Sequence, residues 1–203
     1  ALADEYDALV MVDDSHASGL IGPTGRGTAE HFGVAGKVDI LTSTLGKALS
    51  GASGGFIASR RSIAELLRQR ARPYLFSNSL APSIVGGSLA ALDLLAHDSE
   101  LRERLMANAR VFRCRLGEAG FALAPGFHPI APLITERAAR LADDLFDAGI
   151  YVTAFSYPVV PRERARIRIQ LSALHTAAQI DSAVACFADA GQRLGMLHTQ
   201  HAS

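Results

Sequence analysis

Apolar residues fall in short clusters through the first half of the chain and recur at helical spacing through the second. Ala8 to Val12 is a short apolar run of the kind that forms a strand buried on both faces, and Ile40 to Ser43 and Gly55 to Ala58 repeat the pattern. Ser62-Ile63-Ala64-Glu65 reads as a capping box that opens a helix whose apolar stripe is Ile63, Leu66 and Leu67. Tyr74 to Phe76 reads as another extended run. Pro82, well tolerated in a first turn, opens a helix of small and apolar residues through Leu95. Strands alternating with helices predict an open α/β sheet.

The pattern changes near His97 and Asp98. Leu101, Leu105, Ala109, Phe112 and Leu116 mark one face of a long helix, with Gly117 and Gly120 at its end. Ile130 to Ile134 reads as a strand that Pro132 makes either an edge or an interrupted one. A helix carrying Leu141, Leu145 and Phe146 stops at Gly149, and Ile150 to Ala154 and Arg166 to Leu171 read as strands. Thr176-Ala177-Ala178-Gln179 is a second capping box, leading a helix with Ile180, Val184, Phe187 and Leu194 on its buried side. The expected division is residues 1–97, part of a large α/β sheet domain, and residues 98–203, a small α+β domain.

With 49% hydrophobic and 20% charged residues the chain has the material for a core and is not disordered. Twenty basic residues balance twenty acidic ones, which argues against nucleic acid or an anionic membrane as a partner. Cys114 and Cys186 lie far apart in helical segments, without disulfide or zinc spacing, and are expected as buried, reduced thiols in a cytoplasmic protein. No apolar run is long enough to span a membrane.

Lys47 is the residue with the most chemistry in its surroundings. It follows the apolar pair Ile40 and Leu41 and sits in Thr44-Leu45-Gly46-Lys47-Ala48-Leu49-Ser50-Gly51, where a strand gives way to a loop. A lysine that loses hydration there becomes a nucleophile towards a carbonyl; a surface lysine in a turn is the plainer account. Asp13, Asp14 and His16 share one loop at the end of another strand. Taken alone, Asp13 is an ordinary capping or loop aspartate, and the three together are a possible metal set. The lysine segment is no phosphate-binding P-loop, because Ala48 stands where a hydroxyl residue is required.

The ordered segments Val10-Met11-Val12-Asp13-Asp14-Ser15-His16-Ala17, Gly25-Arg26-Gly27, Thr44-Leu45-Gly46-Lys47 and Gly54-Gly55 resemble those of the pyridoxal-phosphate-dependent α-oxoamine synthases. Tyr157-Pro158-Val159-Val160-Pro161 and Ala165-Arg166-Ile167-Arg168-Ile169-Gln170-Leu171-Ser172-Ala173 extend the resemblance through the second half. Arg72-Pro73-Tyr74-Leu75-Phe76-Ser77-Asn78-Ser79-Leu80-Ala81-Pro82 is most similar to the members that join glycine to acetyl-CoA. Such proteins are longer. This chain, which opens on Ala1-Leu2-Ala3, is expected to be their C-terminal portion, to bind cofactor weakly by itself and to expose an apolar sheet edge.

The resemblance implies the fold type I architecture of pyridoxal-phosphate-dependent transferases. It implies that Asp13 pairs with the cofactor's ring nitrogen, that His16 bonds its phenolic oxygen, and that Thr44 meets its phosphate. Lys47 would form the Schiff base and act as base, and Arg168 would hold the substrate carboxylate, with Arg166 as the alternative if the register shifts. Ser77 and Asn78 would contact the phosphate across the interface of a homodimer, although by themselves they read as a turn. Arg70 and Arg72 face CoA phosphates or form a solvated helix end. The substrates implied are glycine and acetyl-CoA, with no nucleic acid or membrane partner, in the cytoplasm or, for a eukaryotic source, in mitochondria.

Overall fold

A single turn of helix, α1 (Leu2–Glu5), leads into β1 (Met11–Asp13), which pairs in parallel with β2 (Ile40–Thr44), Met11 opposite Ile40 and Asp13 opposite Thr42. The connection carries the short helix α2 (Thr28–His31) and a 3-10 turn at Ala35–Lys37. β3 (Gly55–Ser59) then runs antiparallel to β2, completing a three-stranded sheet of order β1-β2-β3. The computed structural model describes residues 1–197, and the chain divides into two compact units, Ala1–Arg102 and Glu103–Ser203.

The strands of the first unit are less buried than their apolar sequence predicts. Met11 and Ile57 stand exposed, β1 begins three residues later than expected, and β1 and β3 are both edges of the sheet. Apolar composition records a capacity for burial, and burial itself needs a covering surface. Helices follow as α3 (Arg61–Arg70), α4 (Arg72–Phe76) and α5 (Pro82–His97). Two expectations fail here. Ser62 is not a cap: α3 starts at Arg61, Ser62 lies inside its first turn, and Glu65 pairs back to Arg61 at 3.5 Å. Tyr74 to Phe76 is helical, because Pro73 in the first turn of α4 presets helical φ just after the extended Ala71.

The division between units falls in the first turn of α6 (Glu100–Glu118). The second unit has an antiparallel sheet of order β4-β6-β5, made from β4 (Ile130–Ile134), β5 (Thr153–Phe155) and β6 (Arg166–Gln170). A 3-10 turn at Arg162–Arg164 precedes β6. Pro132 does lie on an edge strand, where its missing N–H costs little. α6, α7 (Ala138–Asp147) and α8 (Ala177–Arg193) cover one face of this sheet. Phe112, Leu116, Leu141, Leu145, Ile167, Ile169, Ile180 and Phe187 close the core, and the rings of Phe112 and Phe121 each meet Phe187 edge-on at 6.0 Å.

The capping box at Thr176 forms as read, its side chain accepting the Gln179 N–H at 3.3 Å. Of the three apolar residues noted on α7, Leu141 and Leu145 are buried and Phe146 is exposed. Arg113 ties the connection before β4 down, donating to the carbonyls of Ala124, His128 and Ile130, and its partial burial lowers its pKa. Both cysteines are free, but Cys114 is exposed and Cys186 half-buried, so the expectation of two buried thiols fails. Among the described residues no helix is long and apolar enough to cross a membrane.

Candidate active site

Two neighbouring parallel strands, β1 and β2, end side by side, and the chain leaves each at its carboxyl end in a loop, the place where open α/β sheets bind ligands. Asp13 is the last residue of β1. Its carboxylate is exposed and accepts the Ser15 N–H at 2.9 Å. The Ser15 side chain and backbone bonds, opposed by desolvation and reinforced to a smaller extent by the charges of Lys47 and His16, hold it below the usual aspartate pKa of 3.8.

Asp14 points the other way and is buried. It accepts from Thr28 twice, from N–H at 2.9 Å and from the hydroxyl at 2.5 Å, while its own carbonyl receives the N–H of Ala17 and Ser18. Asp14 is thus a structural residue, its carboxylate held by the amide and hydroxyl of Thr28. Gly27 makes the arrangement possible: its φ is +96°, and a Cβ there would stand 1.9 Å from the Asp14 carboxylate. Glu30 anchors the preceding turn through Thr24 and Arg26; burial pushes its pKa up, but those bonds bring it down overall. The loop so pinned carries His16 at its exposed side.

The second loop runs from Thr44 to Gly55. Leu45 and Leu49 are packed down, and Lys47 rises between them into solvent. The dehydrated setting expected for this amine is therefore not supplied by the described residues. Nor do Thr44 and Lys47 lie on a helical turn. Thr44 ends β2, donates its hydroxyl to the Gly54 carbonyl at 3.1 Å and accepts the Gly46 N–H at 3.1 Å, which fixes the bend leading to Lys47. Ser50 and Ala52 hold positive φ (51° and 62°), a backbone strain of about 1–3 kcal/mol each that commonly collects at functional loops.

Three residues given no role from the sequence help to shape the two loops, Ser88 and Leu80 at the Lys47 loop and Thr28 at the Asp14 loop. Ser88 of α5 is buried so close to Gly51 that a Cβ there would meet its hydroxyl at 2.4 Å, and Leu80 lies against Gly54. Thr28 is the third, as the anchor of Asp14. The only advance signal was the run of small residues around Ser88 and the glycines facing it. Leu80 carries the segment between α4 and α5 towards the Lys47 loop, yet Ser77 and Asn78 themselves are exposed and their side chains form no hydrogen bond among the described residues. Arg70 and Arg72 are exposed, Arg72 lying 6.0 Å from the Phe76 ring centre.

Arg168 belongs to the second unit. It sits mid-strand on β6, between Pro132 and Thr153, on the face away from the core, with Nη2 3.5 Å from the Gln170 side-chain oxygen. Among the described residues no three His, Cys, Asp or Glu side chains gather to hold a metal, so Asp13, Asp14 and His16 do not form such a set. A concavity of about 560 Å³ lined by Arg26, Asp39, Leu41, Ala58 and Arg60 opens at the opposite end of β2 from Lys47. The paired Asp39 and Arg60 both line it, and none of Asp13, His16, Thr44, Lys47, Ser77, Asn78 or Arg168 does.

Residues 1–187 match the aminotransferase class I and II family. The chain is 56% identical to the 2-amino-3-ketobutyrate coenzyme A ligase of Escherichia coli K12, over 97% of this chain and 50% of that protein. It is 49% identical to the mitochondrial 2-amino-3-ketobutyrate coenzyme A ligase of Homo sapiens, over 97% and 48%. The chain thus spans about half the length of the curated relatives it matches. Among solved structures, that of SPT with a PLP internal aldimine superposes with a TM-score of 0.92 at 34% identity, over 97% of this chain and 50% of that one. The fold is that of the type I pyridoxal-phosphate-dependent transferases, and the chain belongs to the aminotransferase class I and II family.

Proposed function

We propose that the complete protein is a pyridoxal-phosphate-dependent glycine C-acetyltransferase, condensing glycine with acetyl-CoA to give 2-amino-3-oxobutyrate and CoA. The observation that carries the reading is the placement of Asp13 at the carboxyl end of β1 and of Lys47 in the loop that leaves the carboxyl end of its parallel neighbour β2. The names of the E. coli and human relatives support the substrate.

The residues present fit the cofactor. An aspartate kept ionised is the partner that a protonated pyridine nitrogen requires, and an exposed primary amine stands within reach of its charge. When bound, pyridoxal phosphate supplies an aldehyde for amines and an electron-withdrawing ring for charge developing at the glycine α-carbon. Asp13 stays ionised and keeps the ring nitrogen protonated. Arg168 receives the glycine carboxylate on its planar fork and so orients the α-carbon. The Lys47 Nζ, once free, takes the α-proton. His16 donates to the cofactor's phenolic oxygen and polarises the acyl oxygen during attack. A bond forms between the α-carbon and the acetyl carbon, the thioester C–S bond breaks, and CoA leaves as its thiolate. Thr44, with Ser77 and Asn78 from the other subunit of a homodimer, holds the phosphate. The protein acts in the cytoplasm, or in mitochondria for a eukaryotic source.

The test is borohydride reduction of the complete protein followed by peptide mapping. The pyridoxyl mass is expected on the peptide containing Lys47, and its absence from every peptide sinks the reading. Lys47→Ala should lower turnover by roughly 10²–10⁴-fold or more with the unfolding midpoint unchanged. Rates for glycine, alanine and serine with short and long acyl-CoAs separate this activity from its sibling synthases; glycine with acetyl-CoA is expected to be fastest.

A further inference from the structure

β6 alternates strictly. Ile167 and Ile169 enter the core, and Arg166, Arg168 and Gln170 lie on the opposite face. Their neighbours in register on that face are Pro132 and Thr153 beside Arg168, and Ile134 and Phe155 beside Arg166. No strand of this sheet carries a carboxylate: β4 reads Ile-Ala-Pro-Leu-Ile, β5 Thr-Ala-Phe and β6 Arg-Ile-Arg-Ile-Gln. The strands therefore place two guanidinium groups, and no acid of their own, on that face.

Arg166 is half-buried between apolar neighbours, and among the described residues its side chain makes no hydrogen bond or ion pair. Glu163 and Glu136, acids close by in sequence and register, do not pair with it. A guanidinium has five N–H donors and no acceptor, so a partly dehydrated one without a protein partner is completed by an anion from solution. Residues two apart on a strand lie about 7 Å apart with side chains parallel, a spacing that a short dicarboxylate can bridge.

We infer that this face binds two anionic groups together: a small dicarboxylate lies across Arg168 and Arg166, and Arg166 is the second anion contact. The inference rests on the reading of Arg168 as the carboxylate-binding residue and adds to it a ligand class, dicarboxylates, that competes for the same arginine. A monocarboxylate uses Arg168 alone.

The measurement is calorimetric titration of residues 1–203 with sodium succinate and sodium propionate at constant ionic strength. Succinate is expected to bind about tenfold more tightly, the gain of one charge-assisted contact. Arg166→Gln should bring succinate to the propionate affinity and leave propionate unchanged, and Arg166→Lys should restore part of the difference. A thermal unfolding scan of each variant confirms that the fold is kept. Equal affinities in the unsubstituted chain, or a gap that survives Arg166→Gln, overturn the inference. Arg168→Gln tests the underlying reading separately. If propionate binding ignores that change while the succinate gap still depends on Arg166, the Arg168 assignment falls and the Arg166 contact stands.

Discussion

The two units of this chain spend their apolar residues differently. In residues 1–102 the buried apolar side chains are Ala17, Ile21, Ala29, Leu45 and Leu49, all within or beside the loops that carry Asp13, His16 and Lys47. Helix α5 buries only Ser88 and leaves Val85, Leu89, Leu92 and Leu94 exposed. In the second unit three helices cover one face of a sheet, and Phe112, Leu116, Leu141, Leu145, Ile167 and Phe187 are almost fully enclosed. One unit has a core of its own. The other has packed its functional loops first, and its strands and helices keep apolar faces that residues 1–102 do not themselves cover. Loop geometry can thus be set by a few local anchors while the sheet beneath still lacks its full burial.

The sharpest break of this contrast is in the core of the second unit. Phe187→Ala removes the ring that both Phe112 and Phe121 meet, and should cost about 3–5 kcal/mol in denaturant unfolding followed by a probe in residues 103–197. Gly27→Ala attacks the anchor of the first unit. A methyl 1.9 Å from the Asp14 carboxylate, at φ +96°, should cost about 1–3 kcal/mol and release the Thr28 bonds, seen as faster amide exchange at Thr28 and Ala17. Leu89→Gln, on the exposed side of α5, should change stability by less than ~0.5 kcal/mol and reduce self-association in sedimentation; a large loss would show that α5 is already covered.

The smallest effect is at Asp13. Its depressed pKa means that the charged form favours the fold above the usual value of 3.8, and that this contribution is lost as pH falls through the lower folded value. Ser15→Ala removes the largest cause, the side-chain bond, so the Asp13 carboxyl should titrate at higher pH by carbon-detected NMR. An unmoved titration would assign the depression to the Ser15 backbone bond, which the variant keeps, and to the charges of Lys47 and His16.

Much of the second unit was legible in its sequence. The strand alternation at Arg166–Gln170, the edge placement of Pro132 and the capping box at Thr176 all appear where local pattern put them. In the first unit the motif residues were legible and their settings less so. Asp13 and Asp14 are adjacent aspartates, and only the fold distinguishes the exposed one from the one clamped by Thr28 beneath Gly27. Lys47 was read as a candidate for lost hydration and stands exposed.

What the sequence by itself determined, then, is the order of strands, helices and chemical groups, because periodicity, proline and capping act over a few neighbouring residues. The tertiary structure decided what those groups face. Pairing β1 with β2 brings Asp13 and Lys47, thirty-four positions apart, to one end of the sheet. Open sheet edges left Met11 and Ile57 in solvent. Exposure and electrostatic coupling depend on distances through space, which a linear pattern does not encode until the chain has folded.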